Sequence, residues 1–65
     1  MIHIDARGMR CPWPAIRLAR ALRDGATVVE ITADDPRAGG ELASAAAAVG
    51  ATLRVVADGV FRAER

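Results

Sequence analysis

Hydrophobic and polar residues alternate along this chain with two periods, one typical of strands and one typical of helices. Ile2–Asp5 puts Ile2 and Ile4 on one face and His3 on the other, which predicts a half-buried strand. Over residues 12–23 the apolar residues instead recur three and four positions apart, which predicts an amphipathic helix. Its predicted buried stripe consists of Ala15, Leu18, Ala19 and Leu22.

The next segment repeats the order of strand and then helix. Residues 27–33 alternate in the same way, and Asp34-Asp35-Pro36 predicts a turn that caps the following helix. That helix is rich in alanine, starts between positions 36 and 41 and ends before Gly50. Gly39-Gly40 weakens its first turn, because a glycine inside a helix costs about 1 kcal/mol relative to alanine. Its predicted inner stripe consists of Leu42, Ala45, Ala46 and Val49.

Two more strands follow, at Thr52–Ala57 and Val60–Glu64, and Asp58-Gly59 between them is a strong hairpin signal. The predicted order is therefore βαβαββ. Each strand has one apolar and one charged face, which a sheet covered by helices on both faces would lack. The apolar faces carry Ile2, Ile4, Val29, Ile31, Leu53, Val55, Phe61 and Ala63, and the charged faces carry His3, Glu30, Arg54, Arg62 and Glu64.

The connections decide where the helices lie. Crossovers between parallel strands are right-handed in nearly all proteins, so both helices fall on the same side of the sheet. The predicted fold class is α/β: a two-layer α/β sandwich with a four-stranded mixed sheet and both helices on one face. Its 65 residues are expected to form a single domain over residues 1–65.

Composition narrows the class of protein. The single cysteine excludes an internal disulfide, and no Cys/His cluster is present, so neither a metal nor a cofactor is expected. No leader peptide is recognisable, and no apolar run approaches the roughly 20 residues that span a bilayer. A lone free thiol is typical of a reducing compartment, which predicts a cytoplasmic protein that does not associate with membranes.

Charge narrows the class further. The net charge is only +1, which argues against direct nucleic-acid binding, and the charged sheet face offers no aromatic residue on which bases could stack. All nine basic residues are arginines, so Schiff-base chemistry at a lysine is excluded. Several arginines surround the cysteine, at Arg7, Arg10, Arg17, Arg20 and Arg23.

The candidate catalytic residue is Cys11, which stands where the loop after the first strand meets the first helix. A helix N-terminus presents backbone N–H groups without intrahelical partners and the positive end of the helix dipole. Cysteines so placed titrate at roughly 3.5–7.5 instead of about 8.5. Arg7 and Arg10 should act in the same direction. The sequence therefore predicts sulfur chemistry by one activated thiolate.

Neighbouring residues are expected to support this cysteine loop. Gly8 supplies a positive φ or a close backbone approach, and Asp5 caps the turn, although an ordinary strand terminus is the alternative interpretation of Asp5. Pro12 fits the first helical position and Pro14 the first turn, where both stiffen the junction. One of Arg7 and Arg10 is expected to help stabilise the sulfur anion, although solvated loop charges are the alternative interpretation of both.

The helix face opposite the buried stripe is the candidate partner-binding surface. Trp13 is predicted to be exposed there, and an exposed tryptophan is a typical anchor for a protein partner. Arg17 and Arg20 on the same side would complement an acidic surface, although a solvated helix face is the alternative. His3 is interpreted as a surface residue, and the Asp34-Asp35 pair as capping residues without chemistry.

The segment Asp5-Ala6-Arg7-Gly8-Met9-Arg10-Cys11-Pro12-Trp13-Pro14 resembles the Asp-x-x-Gly-x-x-Cys-Pro-x-Pro signature of the TusA-type (SirA/YedF-like) sulfur carrier family. The resemblance continues at Asp34-Asp35-Pro36, Gly50-Ala51 and Asp58-Gly59, and covers essentially the whole chain. Cys-Pro-x-Pro alone would be a weak match. The Asp-x-x-Gly before it and the turn at this spacing after it make the match specific.

The resemblance implies a protein that receives sulfane sulfur on Cys11 as a persulfide and relays it, as a carrier more than as a stand-alone enzyme. It implies a cysteine desulfurase or another sulfurtransferase as donor. The implied acceptors are proteins of tRNA thiolation, molybdenum cofactor maturation or sulfur oxidation. A lone thiol suits this role, because no neighbouring thiol can discharge the persulfide as a disulfide.

Two other functions remain open from the residues. A thiol redox protein or peroxide sensor would cycle Cys11 through sulfenic acid, but the chain has no resolving cysteine. A regulatory or nucleic-acid-binding module would instead use the charged face of the sheet.

Overall fold

The computed structural model describes all 65 residues and confirms the predicted order of elements. Three strands have the predicted bounds, because two-residue alternation and the Asp58-Gly59 turn delimit them sharply. The first helix begins one residue later than predicted, since Pro12 is its N-cap and not its first helical residue. The elements are β1 (Ile2–Asp5), α1 (Trp13–Arg23), β2 (Val28–Thr32), α2 (Ala38–Ala48), β3 (Thr52–Ala57) and β4 (Val60–Glu64).

The four strands form one mixed sheet in the order β1-β2-β4-β3. β1 is parallel to β2, whereas β4 runs antiparallel to both β2 and β3. Both helices pack on one face of this sheet, so the predicted two-layer sandwich is confirmed. Neither helix has the length and apolar character needed to cross a membrane.

The core lies between the helices and the sheet. The helix side chains Leu18, Leu22 and Leu42 are fully buried, and each such leucine contributes about 1.5–3 kcal/mol relative to an exposed one. The predicted stripes are confirmed in part, because Ala19, Ala45 and Val49 are only half-buried. Small residues fill the rest, which lets the helices approach the sheet closely: Ala6, Ala15, Ala33, Ala38, Ala46, Ala51 and Ala63.

Two predicted inward positions are wrong. Ile2, on the edge strand β1, is 45% exposed. Val55 was expected to lie under the helices, but 68% of it is exposed. It belongs to β3, an edge strand, and the register shift between Val55 and Ala57 interrupts the regular alternation there. The neighbouring strand β4 is better covered by the helices, and its Phe61 packs against the core.

The opposite face of the sheet carries ion pairs between neighbouring strands. Glu30 of β2 accepts from Arg62 Nη2 at 3.0 Å and lies 3.5 Å from His3 Nδ1. Arg54 and Glu64 form another pair at 3.4 Å. The predicted charged, solvent-facing side of the sheet is therefore confirmed.

Candidate functional site

The cysteine loop, defined here as residues 6–12, leaves the carboxyl end of β1 and enters α1. Its first residue stays tied to the sheet, because Ala6 N–H donates to Thr32 O at 2.8 Å. The chain then turns at Gly8, whose φ is +82°, as predicted for this glycine. Cys11 carries a free, half-buried thiol, and the peptide bond between Cys11 and Pro12 is cis. The loop thus presents one thiol beside the N-terminal end of α1.

Two carboxylates from the turn after β2 hold this loop, and we call Asp34 and Asp35 the aspartate clasp. Gly8 N–H donates to Asp34 Oδ1 at 2.9 Å, and Cys11 N–H donates to Asp35 Oδ2 at 3.1 Å. The other oxygen of Asp35 accepts Arg37 N–H at 2.8 Å. The prediction for this pair was capping alone. In the structure Arg37 is the N-cap of α2, no side chain caps that helix, and the aspartates bind the cysteine loop.

Parallel pairing explains why the clasp reaches the cysteine. Asp5 and Thr32 are register partners at the ends of β1 and β2, so the segments that follow them start side by side. Two consecutive aspartates at the carboxyl end of a strand parallel to β1 are therefore the signal from which this contact could have been predicted.

Asp5 shapes the start of the loop through Arg7. Its carboxylate accepts Arg7 N–H at 3.1 Å, Arg7 Nε at 2.9 Å and Arg7 Nη2 at 2.9 Å. The side-chain hydrogen bonds from Arg7 are the main reason that the pKa of Asp5 falls to about 2. The charge of Arg7 is thus paired with the carboxylate of Asp5.

The N-terminus of α1 is poor in free donors, contrary to the expectation from sequence. Pro12 and Pro14 have no N–H, and Trp13 N–H is already bonded to Arg10 O at 2.9 Å. The next donor, Ala15 N–H, belongs to a buried residue. The usual cluster of unpaired N–H groups that would favour a thiolate is therefore missing.

The prediction of a lowered thiol pKa was accordingly wrong. Burial raises the pKa of Cys11, and hydrogen bonding to the Glu41 carboxylate together with its negative charge raises it further. Arg37 opposes this rise, whereas Asp35 adds to it. The side chain of Arg10 is exposed and forms no hydrogen bond or ion pair, although it stands next to the cysteine in sequence.

Arg37 and Glu41 are the site residues that sequence reasoning missed. They belong to the N-terminal end of α2, which reaches Cys11 because the two helices pack side by side on the sheet. Nothing in the local sequence around Cys11 points to them. The scarcity of N–H donors at the start of α1, in contrast, could have been predicted from sequence. Pro12 and Pro14 lack the backbone N–H that a thiolate would use.

A groove between α1 and the free edge of β1 begins next to the cysteine loop. Trp13 is 58% exposed and Ile16 is 39% exposed along its wall, as the helical phase predicts for Trp13. Ile2, on the unpaired edge strand, is 45% exposed on the other side. Arg17 and Arg20 also line the groove.

The pairing of the arginines distinguishes this face from the rest of the surface. Four arginines pair with carboxylates elsewhere, and Arg23 and Arg65 donate to backbone carbonyls. The side chains of Arg10, Arg17 and Arg20 have neither kind of partner. The unneutralised positive charge is therefore concentrated near Cys11 and along α1.

Comparison with known proteins agrees with this architecture. The family model described as sulfurtransferase TusA matches residues 2–64. The chain belongs to the sulfurtransferase TusA family. The crystal structure of a SirA-like protein from Desulfitobacterium hafniense is similar, with 34% sequence identity and a TM-score of 0.79. The similarity covers 97% of this chain and 92% of that one, while no curated protein matches significantly.

Membership in the TusA family establishes a sulfurtransferase or sulfur carrier at the level of the family, whose proteins work in sulfur relays between donors and acceptors. The one cysteine of this chain is then the only side chain able to carry sulfur covalently as a persulfide. No group of three or more His, Cys, Asp or Glu residues is arranged to hold a metal ion.

Proposed function

We propose that this protein accepts sulfane sulfur as a persulfide on Cys11 and relays it to an acceptor protein. The observation that carries the proposal is the placement of the chain's only thiol. It is half-buried in the cysteine loop, and the N–H of Cys11 is fixed there by Asp35. A fixed backbone with a partly accessible sulfur lets a partner reach the reacting atom without reorganising the loop. No second thiol is present to release the sulfur prematurely as a disulfide.

The chemistry is two successive exchanges at sulfur. The Cys11 thiol loses its proton to water, and the resulting thiolate attacks the terminal sulfur of a donor persulfide. The sulfur–sulfur bond of the donor breaks, the donor leaves as a thiolate, and Cys11 becomes the persulfide. An acceptor thiolate then attacks the terminal sulfur on Cys11, which returns Cys11 to a thiolate. No electron donor or further cofactor takes part.

The partners in this proposal are proteins that dock beside the loop. Trp13 provides an exposed aromatic anchor, and the unpaired Arg17 and Arg20 provide positive charge along the same groove. A cysteine desulfurase or another sulfurtransferase is the proposed donor. The proposed acceptor belongs to tRNA thiolation, molybdenum cofactor maturation or sulfur oxidation, and the proposed location is the cytoplasm. Direct contact with nucleic acid is not part of the proposal.

The decisive experiment is intact mass spectrometry after incubation with a cysteine desulfurase and L-cysteine. We expect wild type to gain one sulfur atom, which a thiol reductant then removes. The Cys11→Ser variant should gain none. Absence of any gain, from a wild-type protein whose Cys11 still reacts with iodoacetamide, would overturn the carrier proposal.

The redox alternative is tested in the same assay. A peroxide sensor would gain oxygen atoms from dilute peroxide more readily than sulfur from the donor. The chain has no second cysteine that could resolve a sulfenic acid on Cys11, which favours the carrier over the sensor.

A further inference from the structure

We propose that a protein that exchanges sulfur with Cys11 docks by adding an extended, acidic segment as a new strand beside β1. This inference deepens the proposed function and rests on it for the role of the partner, whereas the strand addition itself is testable without sulfur. It assigns a binding surface to the backbone of β1, which lies outside the Cys-Pro-x-Pro segment.

The outer edge of β1 offers free main-chain hydrogen-bonding groups. In a parallel pair, the N–H and C=O groups of every second residue point toward the neighbouring strand. Ala6 N–H donates to Thr32 O of β2 at 2.8 Å, so the two-residue alternation turns the N–H and C=O groups of His3 and Asp5 away from β2. Because β1 is the last strand on this side of the sheet, these groups are free to pair with an added strand.

An added strand would lie in the groove between β1 and α1. Side chains alternate across a strand, so every second residue of the segment would face the helix. There it would contact the exposed faces of Trp13 and Ile16, with the partly exposed Ile2 beside them on β1. Apolar residues in the segment would cover this surface and remove it from water, which stabilises the complex. Trp13 follows Cys11 by two positions, so the bound segment would hold its protein next to the thiol.

The charge of the groove favours an acidic segment. Arg17 and Arg20 line it without a carboxylate or carbonyl partner, and Asp24 is the only acidic residue in its lining. Two positive charges against one negative charge favour Asp or Glu in the added strand. A second copy of this chain is disfavoured, because pairing of two β1 edges about a twofold axis would bring the same unpaired arginines face to face.

The other edge of the sheet is less suited to strand addition. The register of β3 shifts between Val55 and Ala57, and such an irregularity interrupts the row of groups that an added strand would need. The arginine of that strand, Arg54, is paired with Glu64. β1 pairs with β2 without a register shift, so its edge is regular over its whole length.

The test is the rate of amide exchange with solvent, measured by NMR on the wild-type protein without any sulfur donor. The probe is a mixture of acetylated, amidated hexapeptides in which Glu alternates with equal parts of Val, Ile, Leu and Phe. We expect exchange at His3 and Asp5 to slow about 2-fold once the mixture reaches its apparent Kd, and further above it. The amides of β3 should keep their rates, and a control mixture with Lys in place of Glu should protect β1 more weakly.

Two substitutions of His3 separate its backbone from its side chain. His3→Pro removes the outward N–H and should abolish the protection of Asp5 by the peptides, because proline is tolerated on the free side of an edge strand but cannot donate. His3→Ala loses the same side chain and keeps the N–H, so it should bind the peptides as wild type does. Circular dichroism and urea unfolding check that both variants fold, and the wild-type measurement stands if His3→Pro does not.

Unchanged exchange at His3 and Asp5 with the Glu mixture would overturn the inference. Equal protection by the Lys mixture, equal protection of β3, or undiminished binding by a folded His3→Pro protein would overturn it too. Dimers in analytical ultracentrifugation that already protect these amides without peptide would show that a second copy, and not an acidic segment, covers the edge. Because no donor is used, failure of sulfur loading in the mass assay overturns the proposed function separately.

Discussion

The amide of Cys11 donates to the carboxylate of Asp35 at 3.1 Å across 24 positions of sequence, and this contact joins the two halves of the fold at the reactive residue. Asp35 belongs to the turn between β2 and α2, whereas Cys11 precedes α1. The position of the thiol is therefore determined by the second βα unit as much as by its own loop. A substitution in that turn should therefore change the position of Cys11 although Cys11 itself is unaltered.

The first prediction concerns the aspartate clasp. Asp35→Ala should lower the urea midpoint more than Asp34→Ala, because Asp35 accepts two backbone N–H groups and Asp34 accepts one. Asp35→Ala should also slow sulfur loading of Cys11 even at temperatures where the variant is fully folded. Equal midpoints for the two variants, or normal loading by a folded Asp35→Ala protein, would contradict this role.

Much of the fold was predictable because short-range patterns determine it. The alternation in β1 and the Asp58-Gly59 turn before β4 predicted those elements correctly. The burial of Val55 was mispredicted because the alternation of residues does not indicate where an edge strand extends beyond the helices that pack on the sheet. The location of Cys11 at a loop–helix junction was likewise readable from the prolines that follow it.

The electrostatics of the site were less predictable. Helix position suggested a stabilised thiolate, but Pro12 and Pro14 remove two of the donors on which that argument depends. Sequence proximity suggested Arg10, whereas the charged groups that influence the pKa of Cys11 are Glu41, Arg37 and Asp35. Contacts of this kind depend on how α1 and α2 pack, and no local pattern in either segment encodes them.

A second prediction concerns acid stability at the start of the cysteine loop. The pKa of Asp5 is lowered from 3.8 to about 2, so its ionised form stabilises the folded state above the higher value. That contribution should decline as the pH falls below about 4 and be lost as the pH falls through about 2. Urea unfolding over this range should show a stability advantage of wild type over Asp5→Asn that shrinks to nothing at the acid end.

High salt provides the control for this pH effect. The Asp5–Arg7 pair is exposed, so added salt should reduce the advantage at every pH above the transition. A difference between wild type and Asp5→Asn that stays constant down to the acid end would show that the carboxylate charge is not responsible.

A third prediction uses two glycines with opposite requirements. Gly59 has a φ of +72°, and an added Cβ would lie 3.0 Å from Ala33 O, so Gly59→Ala should destabilise the fold by about 1–2 kcal/mol or more. Gly40 lies in α2 with no atom within 4 Å of an added Cβ, so Gly40→Ala should stabilise it by about 0.5–1 kcal/mol. Thermal and urea unfolding of both variants measure the two signs, and a destabilising Gly40→Ala would contradict the second.

The last prediction concerns how a sulfur donor recognises the protein. If the unpaired arginines of α1 steer docking, neutralising Arg20 should reduce the rate of sulfur loading by about 1.5- to 5-fold at low salt, and the difference should disappear at high salt. Arg54→Gln is the matched control, because Arg54 is also exposed to solvent but pairs with Glu64 on the opposite face of the sheet. Trp13→Ala should lower loading at all salt concentrations, since burying its ring is an apolar contribution that ions do not screen. A loading rate that responds to Arg54→Gln as strongly as to Arg20→Gln would mean that overall charge, and not the groove beside Cys11, governs the encounter.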